Sequence, residues 1–254
     1  MKKILRLMSG LAVVSFLFAG CASMEDSVSA ADLTLTELEK KMQAATDPQG
    51  IFARSKTYVL LQQVSTKKFL SEPEENLVEV KFERPDKFRL TTYEDNKPVS
   101  MWCSDGPRGW IADYGSRKIK MLDGAALRRM TVMAQISNPQ ESYSKIFSKV
   151  QMFSCVNESG KFYRIDCYGE NQTSPISIYV DAVTFLVKRM KFTMAVGSGQ
   201  MSYDAIIRKY ELREGVMIPV ETEISQNGET QTSKITSYRL NVPIPETDFI
   251  PPVF

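Results

Sequence analysis

Apolar and charged residues alternate along the stretch 78–83, which reads VEVKFE. This period of two predicts a β-strand with one apolar face and one solvated face. Pro85 then interrupts the strand because it has no N–H to donate, and residues 88–93 predict a second strand. Arg84 has the parity of the apolar residues, and an unpaired charge on an apolar face is costly. We interpret the pair of strands as one wall of a concave cavity with Arg84 as a polar latch.

Further strands are predicted on both sides of this pair by alternation and by the turn residues between runs. Asn227-Gly228 is the strongest hairpin signal among these turns. The remaining predicted strands cover 58–64, 99–103, 110–114, 118–121, 151–156, 162–168, 176–180, 185–195, 201–212, 216–225 and 229–240. This spacing predicts an antiparallel meander.

Helical periodicity appears at three places. Thr34 and Glu37 match a capping box before a short helix that Asp47-Pro48 ends. Residues 125–136 carry apolar positions at helical spacing, and a further short helix is predicted from Asn138-Pro139 through Tyr143, Ile146, Phe147 and Val150. These two helices are candidates for a cover over the concave face, and ordinary core packing is the alternative.

The fold class predicted from these elements is mainly β with some helix (α+β), in one domain. No internal repeat and no long Gly- or Pro-rich linker divides the chain. We assign residues 1–20 to a signal peptide, 21–31 to a flexible tether and 32–254 to the folded domain.

The N-terminal segment has a basic start, an apolar run over 11–19 and small residues before Cys21. The run 17–21, LFAGC, resembles a bacterial lipobox in which Cys21 becomes the acylated first residue, although Phe18 stands where Leu is usual. Ordinary cleavage after Ala30 is the alternative. Ala22, rather than Asp, follows the cysteine, so the resemblance implies an anchor in the outer membrane on its periplasmic face. Two acyl chains give a stable anchor.

Charge and composition narrow the function classes. Removing Lys2, Lys3 and Arg6 with the signal peptide leaves 29 basic against 30 acidic residues, a net charge of −1. That balance gives no electrostatic footprint for nucleic acid. The chain has no histidine, so His-dependent triads and His-ligated metal sites are excluded. Residues 142–145 spell the S-x-x-K of serine acyltransferases without its companion motifs. We therefore expect no enzyme activity and no cofactor.

Three cysteines remain for an oxidising compartment: Cys103, Cys155 and Cys167. Cys155 and Cys167 are nearest in sequence, which gives one disulfide and one free thiol as the simplest arrangement. Buried unpaired cysteines are an equal alternative.

The order of short motifs along the chain resembles one family. An apolar strand ends in Arg84-Pro85, Asp105-Gly106 precedes Trp110, and the chain closes with NVPIPETDFIPP over 241–252. In this order they are similar to LolA and its outer-membrane lipoprotein-sorting relatives. The resemblance implies an unclosed, curved antiparallel half-barrel with a helical lid and a cavity for acyl chains. It also implies that Arg84 holds the lid closed through hydrogen bonds. An N-terminal lipid anchor departs from LolA and matches its receptor LolB.

The predicted cavity wall consists of large apolar residues on the central strands and on the first lid helix: Phe82, Phe88, Leu90, Met101, Trp102, Trp110, Met130 and Met133. A closed core filled by these side chains is the alternative. For Arg84, the alternative to a latch is a surface ion pair with Glu83 or Asp86.

The function expected from the resemblance is binding of lipid acyl chains, such as palmitate, or of lipoproteins during lipoprotein transport to the outer membrane of a Gram-negative-type cell. We expect a membrane-anchored monomer that could meet a protein partner of the sorting pathway. A non-catalytic sensory or structural lipoprotein that binds a protein partner through the same fold is the alternative.

Overall fold

The architecture is taken from a computed structural model of the chain. The structure describes residues 27–67, 73–122, 124, 126–128, 132, 142–157, 160–170, 172, 174–196, 199–226 and 229–254. The signal peptide, Cys21, Met130 and Met133 lie outside the described residues, as do the turn residues Asn227 and Gly228.

Fourteen strands within the described residues form one antiparallel sheet that does not close on itself. Their order across the sheet is β1-β8-β9-β10-β11-β12-β13-β14-β2-β3-β4-β5-β6-β7. The strands are β1 Ser27–Ala30, β2 Thr57–Lys67, β3 Glu74–Glu83, β4 Lys87–Glu94, β5 Lys97–Asp105, β6 Gly109–Asp113, β7 Lys118–Met121, β8 Lys149–Asn157, β9 Gly160–Tyr168, β10 Ile176–Asp181, β11 Val187–Val196, β12 Gly199–Arg213, β13 Val216–Gln226 and β14 Glu229–Leu240. The predicted unclosed half-barrel is confirmed.

Helix α1, Leu35–Thr46, begins at the predicted capping box. The Thr34 N–H donates to Glu37 Oε2 over 2.8 Å, and the Glu37 N–H donates to Thr34 Oγ1 over 3.3 Å. Leu38 and Met42 on one face of α1 are buried against β9, β10 and β11. That packing fills one part of the concave side of the sheet.

Helix α2, Ile51–Arg54, is tied to the end of α1 by Asp47. The Asp47 carboxylate accepts hydrogen bonds from the N–H groups of Ile51 and Ala53, at 2.7 and 3.0 Å. Gly215, in the turn between β12 and β13, has φ +78°, and a Cβ there would lie 2.4 Å from Ile51 Cδ1. The glycine therefore lets α2 pack closely on the sheet.

Helix α3, Tyr143–Ile146, is shorter than predicted. The prediction that helix continues to Val150 is wrong, because Val150 already pairs with Cys167 between β8 and β9. In the region before α3, residues 124, 126–128 and 132 are helical.

The boundary of the tether is also corrected. Residues 27–30, assigned to a flexible tether over 21–31, form β1 and pair with β8 from Ser27 opposite Val156 to Ala30 opposite Phe153. Small and β-branched residues such as Val28 suit an edge strand, and backbone hydrogen bonding to β8 overrides the polar composition of the segment.

Cys103, Cys155 and Cys167 are all buried, and none of the three forms a disulfide. Cys155 pairs across the ladder with Phe162, five residues before Cys167 on β9, so the two sulfurs lie on opposite faces of the sheet. The disulfide alternative is therefore wrong for this pair.

Candidate functional site

A cavity of about 580 Å³ lies on the concave side of the sheet, within the size range of small-molecule sites. Two rows of side chains cross its floor in register. One row runs from Tyr58 through Phe82 to Phe88, and the next runs from Leu60 through Val80 and Leu90 to Trp102. The alternation first seen in the sequence thus carries one face of β2, β3, β4 and β5 into the cavity.

The cavity has an aromatic end near α2, which we define as Phe52, Tyr58, Phe82 and Tyr238. The Tyr58 ring stacks on Phe82 with centroids 5.0 Å apart, and it lies 5.9 Å from Phe52 and 6.2 Å from Tyr238. Ring pairs at such distances contribute stabilisation beyond that of apolar burial alone. This end is therefore closely packed.

None of the described residues that line the cavity carries a formal charge. Its polar groups are tyrosine hydroxyls, Thr46, and a small set farther along the strands. Burial raises the pKa of Tyr58 to about 12, and burial likewise raises the pKa values of Tyr143, Tyr210 and Tyr238 above their usual range. These hydroxyls stay neutral at ordinary pH, so the cavity suits a neutral apolar ligand.

Helices complete the cavity on its remaining sides. Met42 and Thr46 of α1, Phe52 of α2 and Tyr143 of α3 all line it. The N–H of Tyr143 donates to Glu39 Oε1 over 2.8 Å, which joins α3 to α1. The helices on this side of the sheet are therefore connected to one another.

Arg84 lies at the aromatic end and binds α2. Its Nε donates to the backbone oxygen of Ser55 over 2.8 Å, and its Nη2 donates to that of Phe52 over 3.1 Å. The guanidinium also stacks over the Phe52 ring at 5.1 Å. These contacts satisfy carbonyls at the C-terminal end of α2, where a cation is favourable. Arg84 can therefore hold α2 and Phe52 over the cavity.

The predicted wall residues divide between the two faces of the sheet. Phe82, Phe88, Leu90 and Trp102 line the cavity.

Met101 and Trp110 do not line it, and this part of the prediction is corrected. Met101 is adjacent to Trp102 on β5, so its side chain lies on the opposite, outer face of the sheet. Trp110 pairs with Cys103, which lies on that same outer face. Both are buried there with Phe249.

Several cavity residues were missed from the sequence. They are the aromatic and apolar residues of α2 and of the second half of the sheet, among them Phe52, Met190, Tyr203, Tyr210, Ile218 and Tyr238. Alternation in β13, where Val216, Ile218 and Val220 share one face, was a signal that could have found part of this set.

Ser142, the serine of the S-x-x-K run, contacts helix α1. The Ser142 hydroxyl lies 3.1 Å from both carboxylate oxygens of Glu39 and 2.9 Å from the hydroxyl of Ser144. Its hydrogen-bond partners in the described part of the chain are thus Glu39 and Ser144. The described residues also contain no group of three or more acidic or cysteine side chains arranged to hold a metal ion. No helix among them has the length and apolar character to cross a membrane.

Three solved structures share this architecture. A LolA superfamily protein from Nitrosomonas europaea aligns with a TM-score of 0.61 at 11% identity, over 86% of this chain and 98% of that one. A DUF1329 family protein from Desulfovibrio piger has a TM-score of 0.56 at 10% identity, over 85% and 95%. An outer membrane lipoprotein-sorting protein domain from Vibrio parahaemolyticus has a TM-score of 0.55 at 11% identity, over 84% and 94%.

No protein-family model matches the chain, and no curated protein matches its sequence. The likeness is therefore one of fold, shared along most of each chain. The resemblance read from the sequence is confirmed at that level: this chain has the LolA-like fold.

Proposed function

We propose that the protein binds acyl chains of lipids or lipoproteins in its concave cavity and acts without catalysis in lipoprotein sorting at the periplasmic face of an outer membrane. The uncharged cavity of about 580 Å³ is the observation that carries the proposal. It supports binding of an apolar molecule, and the fold shared with an outer membrane lipoprotein-sorting domain supports the substrate class.

The energetics favour acyl binding. Each methylene removed from water contributes about 0.8 kcal/mol, so half of a 16-carbon chain would supply roughly 6 kcal/mol. That gain requires an apolar wall and no reactive group, and the cavity has such a wall.

Anchoring through an acylated Cys21 is part of the proposal, as in LolB. It rests on the lipobox-like run 17–21. Cys21→Ala should yield a folded protein in the soluble fraction. An unchanged membrane fraction would contradict the anchor.

Trp102 offers a direct test of binding because it lines the cavity, whereas Trp110 is buried on the other face. Delipidated Cys21→Ala protein should lose tryptophan emission when a brominated acyl chain is added, since bromine quenches a nearby indole. Trp102→Phe should abolish the quenching.

Ala205→Phe should fill part of the cavity with a larger side chain, since Ala205 lines the cavity and is buried. It should reduce uptake while the protein stays folded. A wild-type protein that takes up no acyl chain would reject the proposal and favour the alternative of a lipoprotein that binds a protein partner.

A further inference from the structure

A small group of polar side chains lies in the cavity away from its aromatic end. We define the polar end as Gln62, Thr222 and Ser233, all of which line the cavity. Ser233 is buried and pairs with Thr222 across β13 and β14. Gln62 on β2 lies four residues beyond Tyr58, which separates the polar and aromatic ends by about 13 Å along the strand.

The polar end has hydrogen-bonding capacity to spare. The Ser233 hydroxyl donates to Gln62 Oε1 over 3.1 Å. Among the described residues, no hydrogen bond is found to the side-chain nitrogen of Gln62 or to the hydroxyl of Thr222, which leaves an amide N–H and a hydroxyl available on the cavity wall. Polar groups facing an otherwise apolar cavity are costly unless they find a partner, and a few such groups fix the orientation of a bound ligand.

The groups available are neutral donors, and the described lining has no lysine or arginine. An ester or amide carbonyl is a neutral acceptor and fits such donors. A carboxylate would bring an unpaired charge into the cavity, which is unfavourable.

From this geometry we infer that the polar end binds the ester or amide carbonyl of an acyl group and that the chain extends from there toward the aromatic end. The inference rests on the proposed function and deepens it: the ligand is an esterified or amide-linked acyl chain rather than a free fatty acid.

The test compares three brominated probes by Trp102 quenching: dibrominated stearic acid, its methyl ester, and dibrominated octadecane. At pH 8 the free acid is ionised, since ordinary carboxyl groups titrate near pH 4. Wild-type protein should bind the ester more tightly than the acid. Equal or tighter binding of the acid would overturn the inference.

Gln62→Leu and Thr222→Val keep the size of each side chain and remove its donor. Each should weaken ester binding about two- to twelvefold, the effect of one hydrogen bond, and leave binding of the hydrocarbon unchanged or stronger. An unchanged ratio of ester to hydrocarbon affinity in both variants would also overturn the inference.

Gln63→Leu is the matched control. Gln63 follows Gln62 on β2 but lies on the outer face, where its side-chain nitrogen donates to Glu75 over 2.8 Å. The control should bind all three probes as the wild type does. If the wild type binds none of the probes, the proposed function fails and this inference with it, whereas binding of all three without preference would leave acyl binding intact and reject only the polar end.

Discussion

The two faces of β3, β4 and β5 differ although they are built from alternate residues of the same strands. The inner face presents Phe82, Leu90 and Trp102 to a cavity. The outer face is covered by the C-terminal 3₁₀ helix, Glu246–Phe249, whose Phe249 is only 1% exposed. One face of the sheet is therefore filled by the chain itself, and the other is left open.

The outer face also differs in charge. Lys81 lies 3.0 Å and Arg89 lies 3.6 Å from the Asp248 carboxylate, and Lys87 lies 2.8 Å from that of Glu246. The described inner lining has no such pairs. The cavity is therefore a property of one face of these strands, since the other face is closely packed by the C-terminal segment.

The largest expected effect comes from Phe249→Ala. It removes a ring buried with Met101, Cys103 and Trp110, and it should lower the free energy of unfolding by about 3–5 kcal/mol. Leu90→Ala, by contrast, removes a partly buried side chain that lines the cavity, so it should cost less stability and more ligand affinity. Denaturant unfolding and probe binding of both variants measure this, and equal effects on both properties would remove the distinction between the faces.

Arg84→Leu should act on α2. Hydrogen bonds from a charged group are worth about 1.5–3 kcal/mol, so their loss should increase the equilibrium constant for detachment of α2 by about ten- to a hundredfold. Global unfolding should change less, because a short element can open locally. Stopped-flow release of a brominated chain measures the effect. Arg89→Leu on the outer face is the control, and it should leave release unchanged; proportional losses of stability and binding in Arg84→Leu would contradict the latch.

Alkaline pH should lower the free energy of unfolding through one buried titratable group on each face of the sheet. Burial raises the pKa of Tyr58, on the inner face, from 10.0 to about 12, and burial raises that of Cys103, on the outer face, from 9.0 to about 12. The unfolded chain loses these protons first, so the stabilisation is complete below pH 9 and is lost as the pH rises toward 12. Tyr58→Phe should reduce the loss of stability above pH 10. Cys103→Ala should reduce the loss of stability that begins at pH 9. Urea unfolding at stepped pH would show it, and slopes identical to the wild type would exclude these groups.

Asp248→Asn should have the smallest effect. It weakens the ion pairs to Lys81 and Arg89, which are partly exposed, and should cost about 1 kcal/mol or less. Ligand affinity should not change, since the pairs lie on the outer face. Thermal unfolding at low and high salt would test this, and a salt-independent loss would point to packing instead.

Much of the fold could be predicted because single-residue alternation is a local signal. It located β3 and β4 and put Phe82, Phe88 and Leu90 on one face. It also separates Met101 from Trp102, so grouping them together neglected the period of the strand.

Other features depend on contacts that are distant in sequence. Arg84 binds α2, about thirty residues earlier, and Lys81 pairs with Asp248 near the C-terminus as well as with Glu79. The polar end joins Gln62 on β2 to Ser233 on β14, strands that are far apart in sequence and pair only in the folded sheet. Pairing of 27–30 with β8 has the same origin. Composition alone carried no sign of it.

If Cys21 carries the proposed anchor, the pairing of 27–30 with β8 limits how far the folded domain could lie from the membrane. Only residues 22–26 separate Cys21 from Ser27, a distance of at most about 20 Å when fully extended. With acyl chains on Cys21, as proposed, the β1 edge of the sheet would stay within a distance of the bilayer surface that is shorter than the thickness of the bilayer core, about 30 Å. Such an anchored protein could not travel across the periplasm to collect cargo, so the cargo would have to be brought to it.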